Sequence, residues 1–138
     1  TTMTGDGEGY ARVVTQQDTD QWARAGIMIR ASLDADAPYA LVSLTPRNGV
    51  SFDHRQVASS GAAYAAGACG LEPYWVRMTR QGNVLSVYRS SNGTTWVSVD
   101  SVTIETMPQT AYVGLAVASY DNAALSTVVF DGVFVTAT

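Results

Sequence analysis

The sequence predicts an all-β protein: a two-sheet antiparallel β-sandwich of the jelly-roll kind. Three observations predict it. Apolar and polar residues alternate with a period of two almost throughout, short apolar runs are punctuated by turn residues, and no long stretch carries a helical period. Strands recur about every dozen residues, the spacing of sandwiches and jelly rolls. The chain of 138 residues is one domain's worth, and with 46% apolar residues it can bury a core without staples.

The expected strands, in order, are Tyr10–Gln16, Ala25–Ser32, Tyr39–Thr45, Val50–Gln56, Tyr74–Arg80, Val84–Ser90, Trp96–Val102, Tyr112–Ser119 and Ser126–Val135. Val, Ile, Thr, Tyr and Trp dominate them, as half-buried strands prefer. Asp34–Pro38 ends the second strand, and Pro46-Arg47-Asn48-Gly49 turns the chain after the third. Gln81-Gly82-Asn83 and Ser91-Asn92-Gly93 are tight turns, because Gly and Asn tolerate positive φ. The stretch Ala58–Cys69 breaks the pattern with small residues around Tyr64, and Gly61 and Gly67 disfavour a helix. It reads as a long loop containing at most a short strand, of a length that is often functional.

Alternation assigns faces. Ile27 and Ile29 share the core face of their strand, as do Val50 and Phe52; Val113, Leu115 and Val117 are expected to fill the core. His54 falls on the Phe52 side. Arg30, Ser43, Asp53, Arg55 and the small residues Gly114, Ala116 and Ala118 then lie outside one sheet as a shallow polar trough, a surface suited to a polysaccharide.

Charge narrows the partners. All eight cations are Arg, against twelve carboxylates, for a net charge of −4. Nucleic acid and anionic membranes need clustered basic residues and are disfavoured. No apolar stretch approaches the roughly 18 residues of a membrane span, and no signal-peptide pattern opens the chain, as for a mature or excised fragment. The single cysteine, Cys69, has no internal disulfide partner, and with the single histidine, His54, it falls short of a structural zinc site. A Lys-free, Ser- and Thr-rich surface is like that of exported bacterial proteins.

Six blocks carry a resemblance: Trp22–Arg30 (WARAGIMIR), Leu44–Phe52 (LTPRNGVSF), Pro73–Arg80 (PYWVRMTR), Val87–Trp96 (VYRSSNGTTW), Tyr112–Ser119 (YVGLAVAS) and Phe130–Val133 (FDGV). In this order they resemble the concanavalin A-like, laminin-G-like jelly-roll modules, close to the DUF1349 type, of secreted bacterial glycoside hydrolases and surface proteins. The resemblance runs from about Gly5 to Val135 and implies the same fold and an accessory, extracellular role. Such modules usually carry a further hairpin before the segment matching Thr4–Glu8. Without it a sheet edge is left open, to be filled by upstream residues, a strand-complementing chain or another copy of the domain.

Among individual motifs, Ser90–Trp96 resembles the S-x-D-G-x-T-W hairpin, with Asn92 where Asp is common, and is expected to be structural: Trp96 packs beneath the turn and Thr94 or Thr95 bonds the loop. Sugar rings stack on flat aromatic faces, which makes Trp22, Trp75, Tyr120 and Tyr64 candidate contacts. Arg30, Arg55 and Arg77 are candidate recognition residues, since Arg offers a fixed fork to hydroxyls or a uronate. The competing reading is a surface pair of Arg30 or Arg55 with Asp53. Calcium favours Asp, Asn and backbone oxygens, so Asp34/Asp36, Asp121/Asn122 and Glu8/Asp131 are candidate clusters. The resemblance favours Glu8 and Asp131 as ligands of a structural calcium ion, one acidic residue near each end of the module.

Glycoside hydrolysis needs paired carboxylates, and the Glu residues here, Glu8, Glu72 and Glu105, are far apart and near turns. Asp53 stands alone on its strand, and no nucleophile elbow or phosphate loop is present. The expectation is a non-catalytic carbohydrate-binding module of a secreted polysaccharide-active enzyme, with Arg30, Asp53, Arg55, Trp75, Arg77, Trp22 and Tyr120 as the ligand-binding set. The alternative is a structural or adhesion module that spaces domains or pairs through a sheet edge.

Overall fold

The computed structural model describes residues 1–137, and the side chains of all of these except 63–68. It has eleven strands and, among the described residues, no helix. The strands are β1 (Thr2–Thr4), β2 (Gly7–Gln16), β3 (Arg24–Arg30), β4 (Tyr39–Leu44), β5 (Val50–Arg55), β6 (Ala63–Ala68), β7 (Tyr74–Gln81), β8 (Val84–Ser90), β9 (Val97–Thr103), β10 (Thr110–Ala118) and β11 (Val128–Ala137). They form two antiparallel sheets, one ordered β1-β10-β3-β4-β5-β6 and the other β11-β2-β7-β8-β9. The chain is a two-sheet β-sandwich.

Each of the nine strands expected from alternation exists, with ends displaced by no more than a few residues. Two further strands stand outside those nine, and β6 is the short strand that the sequence allowed within Ala58–Cys69. β1 is three residues long, too short for a period to show, yet Met3 drives it into the core. β6 occupies part of the stretch read as a loop: small residues lack strand propensity, but the free edge of β5 supplies hydrogen-bond partners, and Phe52 aligns with Ala65. The expected contact through Tyr64 lies outside the described side chains.

The core lies between the sheets. Ile27, Ile29, Val42 and Phe52 from one sheet meet Val13, Val76, Met78 and Leu85 from the other, all fully buried. Phe52 also packs against His54, 5.1 Å between ring centroids, as their shared face requires.

One expectation fails. Val113 is buried, but Leu115 and Val117 are 45% and 47% exposed. Their faces are right, because they pair with the buried Ile27 and Ala25. Their place in the sheet is not. β1 covers β10 only as far as Thr1, which exchanges backbone hydrogen bonds with Val113 at 3.0 and 3.1 Å. Beyond Val113, no strand among the described residues flanks β10 on that side. Alternation sets the face of a residue, but burial also needs a neighbour.

Candidate functional site

The outer face of the six-stranded sheet aligns the residues of the expected trough, but its floor is covered: Ser43, Ser51 and Asp53 are buried. Register aligns Gly26, Ser43 and Ser51 in one row, Gly114, Met28, Leu41 and Asp53 in the next, and Tyr112, Arg30, Tyr39 and Arg55 in a third. Gly26 is required here by close approach, since a Cβ would lie 1.8 Å from the Val42 carbonyl oxygen.

At one end of the trough stands Arg24, the first residue of β3. Its side chain reaches diagonally across β4 to β5, where Nε donates to Asp53 Oδ2 at 2.9 Å. Asp53 Oδ1 accepts from Ser51 Oγ at 3.0 Å. Arg24 Nη1 donates to the Trp22 carbonyl at 2.6 Å. Both charged residues are buried, at 4% and 6% exposure, although they lie outside the sheet. The burial comes from two loops. The β2–β3 loop brings Trp22 over the guanidinium, 5.6 Å from its ring centroid, and the β10–β11 loop brings Tyr120 to 4.9 Å. A desolvated guanidinium beside ring faces is a favourable cation–π arrangement. Tyr120, held at φ +56°, keeps 55% exposure and so presents its ring at the trough's rim.

Arg30 and Arg55 sit on the same face at the other end, tied to loop carbonyls and not to Asp53. Arg30 donates to Ser32 O at 2.9 Å and Asp34 O at 2.5 Å. Arg55 donates to Ser60 O at 2.9 Å and covers the Tyr39 ring at 5.4 Å. Burial raises the Tyr39 phenol above the ordinary tyrosine value. The expected set thus gathers Arg30, Asp53, Arg55, Trp22 and Tyr120 on one face. Arg24 was the residue sequence reasoning missed. It shares the parity of Gly26, Met28 and Arg30 along β3, but its partner lies 29 positions away.

Trp75 and Arg77 lie on the other sheet, on the opposite side of the sandwich. Trp75 belongs to a cluster with Tyr10, Trp96 and Phe134 on the outer face of the five-stranded sheet, with centroids 5.1 to 6.4 Å apart. The rings interlock at angles of 23° to 83° and form no flat platform. Trp75 is clasped by Gly93 and Gly132, both at positive φ, where a Cβ would approach its ring to 2.7 and 2.4 Å. The Ser90–Trp96 turn that supplies Gly93 is organised by Asn92, whose Oδ1 accepts from the Thr94 and Thr95 amides at 2.9 Å; the Asn side chain does the work expected of the threonines.

The carboxylates Glu8 and Asp131 are also on this face, each held by a different arginine. Arg77 donates to Glu8 Oε2 at 2.8 and 2.5 Å. Arg12 grips both oxygens of Asp131, with Nε to Oδ1 at 2.6 Å, and holds that carboxyl below the usual carboxylate range. Asp131 aligns with Arg12, four residues along β2 from Glu8, so about 13 Å of strand separates their backbone positions. Each carboxylate is taken up by its own arginine, so the two expected calcium ligands are engaged separately. Asp34, Asp36 and Asp121 are engaged locally by Ser32, Ser59 and the Ala123 amide. No group of three or more His, Cys, Asp or Glu side chains converges among the described residues. His54 and Cys69 lie toward opposite ends of β6, since His54 aligns with Ala63 and Cys69 follows Ala68.

No family model matches the chain, and no curated protein matches it. Among solved structures, it is similar to the crystal structure of a functionally unknown protein from Saccharomyces cerevisiae. The TM-score is 0.74 at 19% identity, over 100% of this chain and 72% of that one. At that identity the likeness shows the fold and nothing about the site.

Proposed function

We propose that the chain is a non-catalytic carbohydrate-binding module of the concanavalin-like jelly-roll type, secreted with a polysaccharide-active enzyme that it holds near its substrate. The observation that carries this reading is the Trp22–Arg24–Tyr120 stack beside the Arg24–Asp53 pair, at the head of a polar trough. A sugar needs one apolar ring face and several oriented polar groups. The exposed Tyr120 ring offers the first; the half-buried Arg30 and Arg55 offer the second. Asp53, on the floor of the trough, is committed to Arg24 and Ser51, which suits a face that holds a ligand over one that transfers protons. A shallow surface buries little ligand area, so affinity is weak per site.

Affinity electrophoresis through gels cast with plant, algal, fungal and bacterial polysaccharides tests this. At least one polymer should retard the protein. Tyr120→Ala or Arg30→Ala should weaken that binding about tenfold, roughly 1.4 kcal/mol. Trp75→Ala, on the opposite sheet, should lower stability and leave binding by the folded fraction intact. No retardation on any polymer, or equal loss from Trp75→Ala in folded protein, refutes the reading.

A further inference from the structure

Four of the eight arginines are taken by carboxylates: Arg12 by Asp131, Arg24 by Asp53, Arg47 by Asp18 and Arg77 by Glu8. Arg80 is buried among backbone carbonyls, and Arg89 donates to the Cys69 carbonyl and the Tyr74 hydroxyl. The other two, Arg30 and Arg55, form no ion pair among the described residues, and both stand on the outer face of the six-stranded sheet. Register sets them in one row, Tyr112–Arg30–Tyr39–Arg55. Strands lie about 4.8 Å apart, so the two arginine positions are about 9.6 Å apart across the sheet. Both guanidiniums are anchored. Arg30 donates from Nε and Nη2 to the Ser32 and Asp34 carbonyls, and Arg55 from Nε and Nη1 to the Ser60 and Ala35 carbonyls. An arginine has more N–H donors than these bonds use, and no described residue accepts from Nη2 of Arg55. The acidic neighbours Asp34 and Asp36 are bonded to Ser32 and Ser59, and neither forms an ion pair with a guanidinium. Between the two arginines, the Tyr39 phenol interacts electrostatically with Asp53, Arg55, Tyr120 and Arg30, so the row and the exposed Tyr120 border one surface.

We propose that this row takes the carboxylates of a polyuronate, an acidic polysaccharide in which each sugar carries one. The proposal rests on the glycan reading and narrows it to a chemical class. A carboxylate matches the fork of a guanidinium, and an arginine already held by loop carbonyls loses little freedom when it binds. The spacing also fits. An extended pyranose chain advances by roughly one interstrand spacing per sugar. Laid across the strands, it sets sugars n and n+2 over Arg30 and Arg55. A ribbon close to two-fold symmetry turns alternate carboxylates to the same side. Those of sugars n and n+2 then face the two guanidiniums, and the one between them points away. The sugar between faces Tyr39, which offers a hydroxyl and no charge. A neutral glycan would leave both positive charges uncompensated.

Affinity electrophoresis through polygalacturonate and alginate, each before and after chemical reduction of its carboxyl groups, tests the class. At least one acidic form should retard the protein, and its reduced form should not. Calorimetric titration with oligomers of the retarding polymer tests the row. A trisaccharide is the shortest to carry carboxylates on sugars n and n+2, so it should bind at least tenfold more tightly than the disaccharide. Arg30→Gln and Arg55→Gln should each remove that step with cooperative melting retained. Arg47→Gln, which deletes a cation from an exposed pair away from the row, should leave it. Retardation by the reduced forms equal to that by the acidic ones, or by neutral or sulfated polymers and neither polyuronate, overturns the proposal and leaves the glycan reading standing. The absence of retardation on every polymer removes both. In the native chain, equal affinity for disaccharide and trisaccharide overturns the row, as does a step that survives in folded Arg30→Gln and Arg55→Gln.

Discussion

At the scale of single residues, charge is managed by pairing arginine with whatever acceptor the fold brings near. Arg24 and Asp53 are the extreme case, because both are buried. Removing one partner leaves the other charge desolvated and alone, so Arg24→Ala or Asp53→Ala should lose about 3–5 kcal/mol in urea unfolding. The double change Arg24→Met with Asp53→Leu should recover most of that loss, because it removes both desolvation costs. Asp131 is the opposite case: it is exposed, and its pKa is lowered by the Arg12 hydrogen bond. A carboxyl whose folded pKa is lowered adds stability above its unfolded value, near 4, and loses it as pH falls through the folded value. Asp131→Asn should therefore be less stable than the native chain at pH 7 and indistinguishable from it near pH 2, measured by urea unfolding at both. Trp75 is an anchor of a different kind, gripped by glycine backbone from the Ser90–Trp96 turn and from the bulge within β11. Trp75→Ala should cost about 3–5 kcal/mol.

At the scale of elements, strands with both a period and turn signals at their ends were legible in the sequence. Val84–Ser90 matches β8 at both ends because Gln81-Gly82-Asn83 and the Asn92 turn bound it on each side. Elements that lean on their neighbours were not legible. β1 has one inward residue, Met3, which nonetheless lies fully buried against the rest of the core. Met3→Ala should cost about 2–5 kcal/mol despite its place near the chain end, measured by the shift in urea midpoint at unchanged slope. Arg80 also works between elements. Its buried guanidinium donates to the Gly82 and Pro108 carbonyls at 2.9 and 2.6 Å and so ties the β7–β8 turn to the segment before β10. Burial lowers its pKa below the ordinary arginine value. Nothing in the local sequence around Arg80 marks it out from Arg77, two residues earlier on the same strand. Parity separates them: Arg77 lies on the outer face, and Arg80 shares the inward side with Val76 and Met78 at the strand's end.

At the scale of the whole molecule, the sandwich has two outer faces of different character. One face carries interlocked aromatics, and the other carries Arg24, Asp53, Arg30 and Arg55 with the exposed Tyr120 at their rim.

The sequence by itself determined the layered all-β architecture, nearly every strand and the face of each residue along it. Those features follow from the two-residue repeat of an extended chain and from turn chemistry, both of which are local. Only the tertiary structure decided which residues on a face meet, that Arg24 and not Arg30 or Arg55 engages Asp53, that Trp75 and Tyr120 lie on opposite sides, and that Leu115 and Val117 face inward without being covered. Those outcomes depend on the order of strands within each sheet and on where the sheet stops, and strand order is set by contacts between residues far apart in the chain.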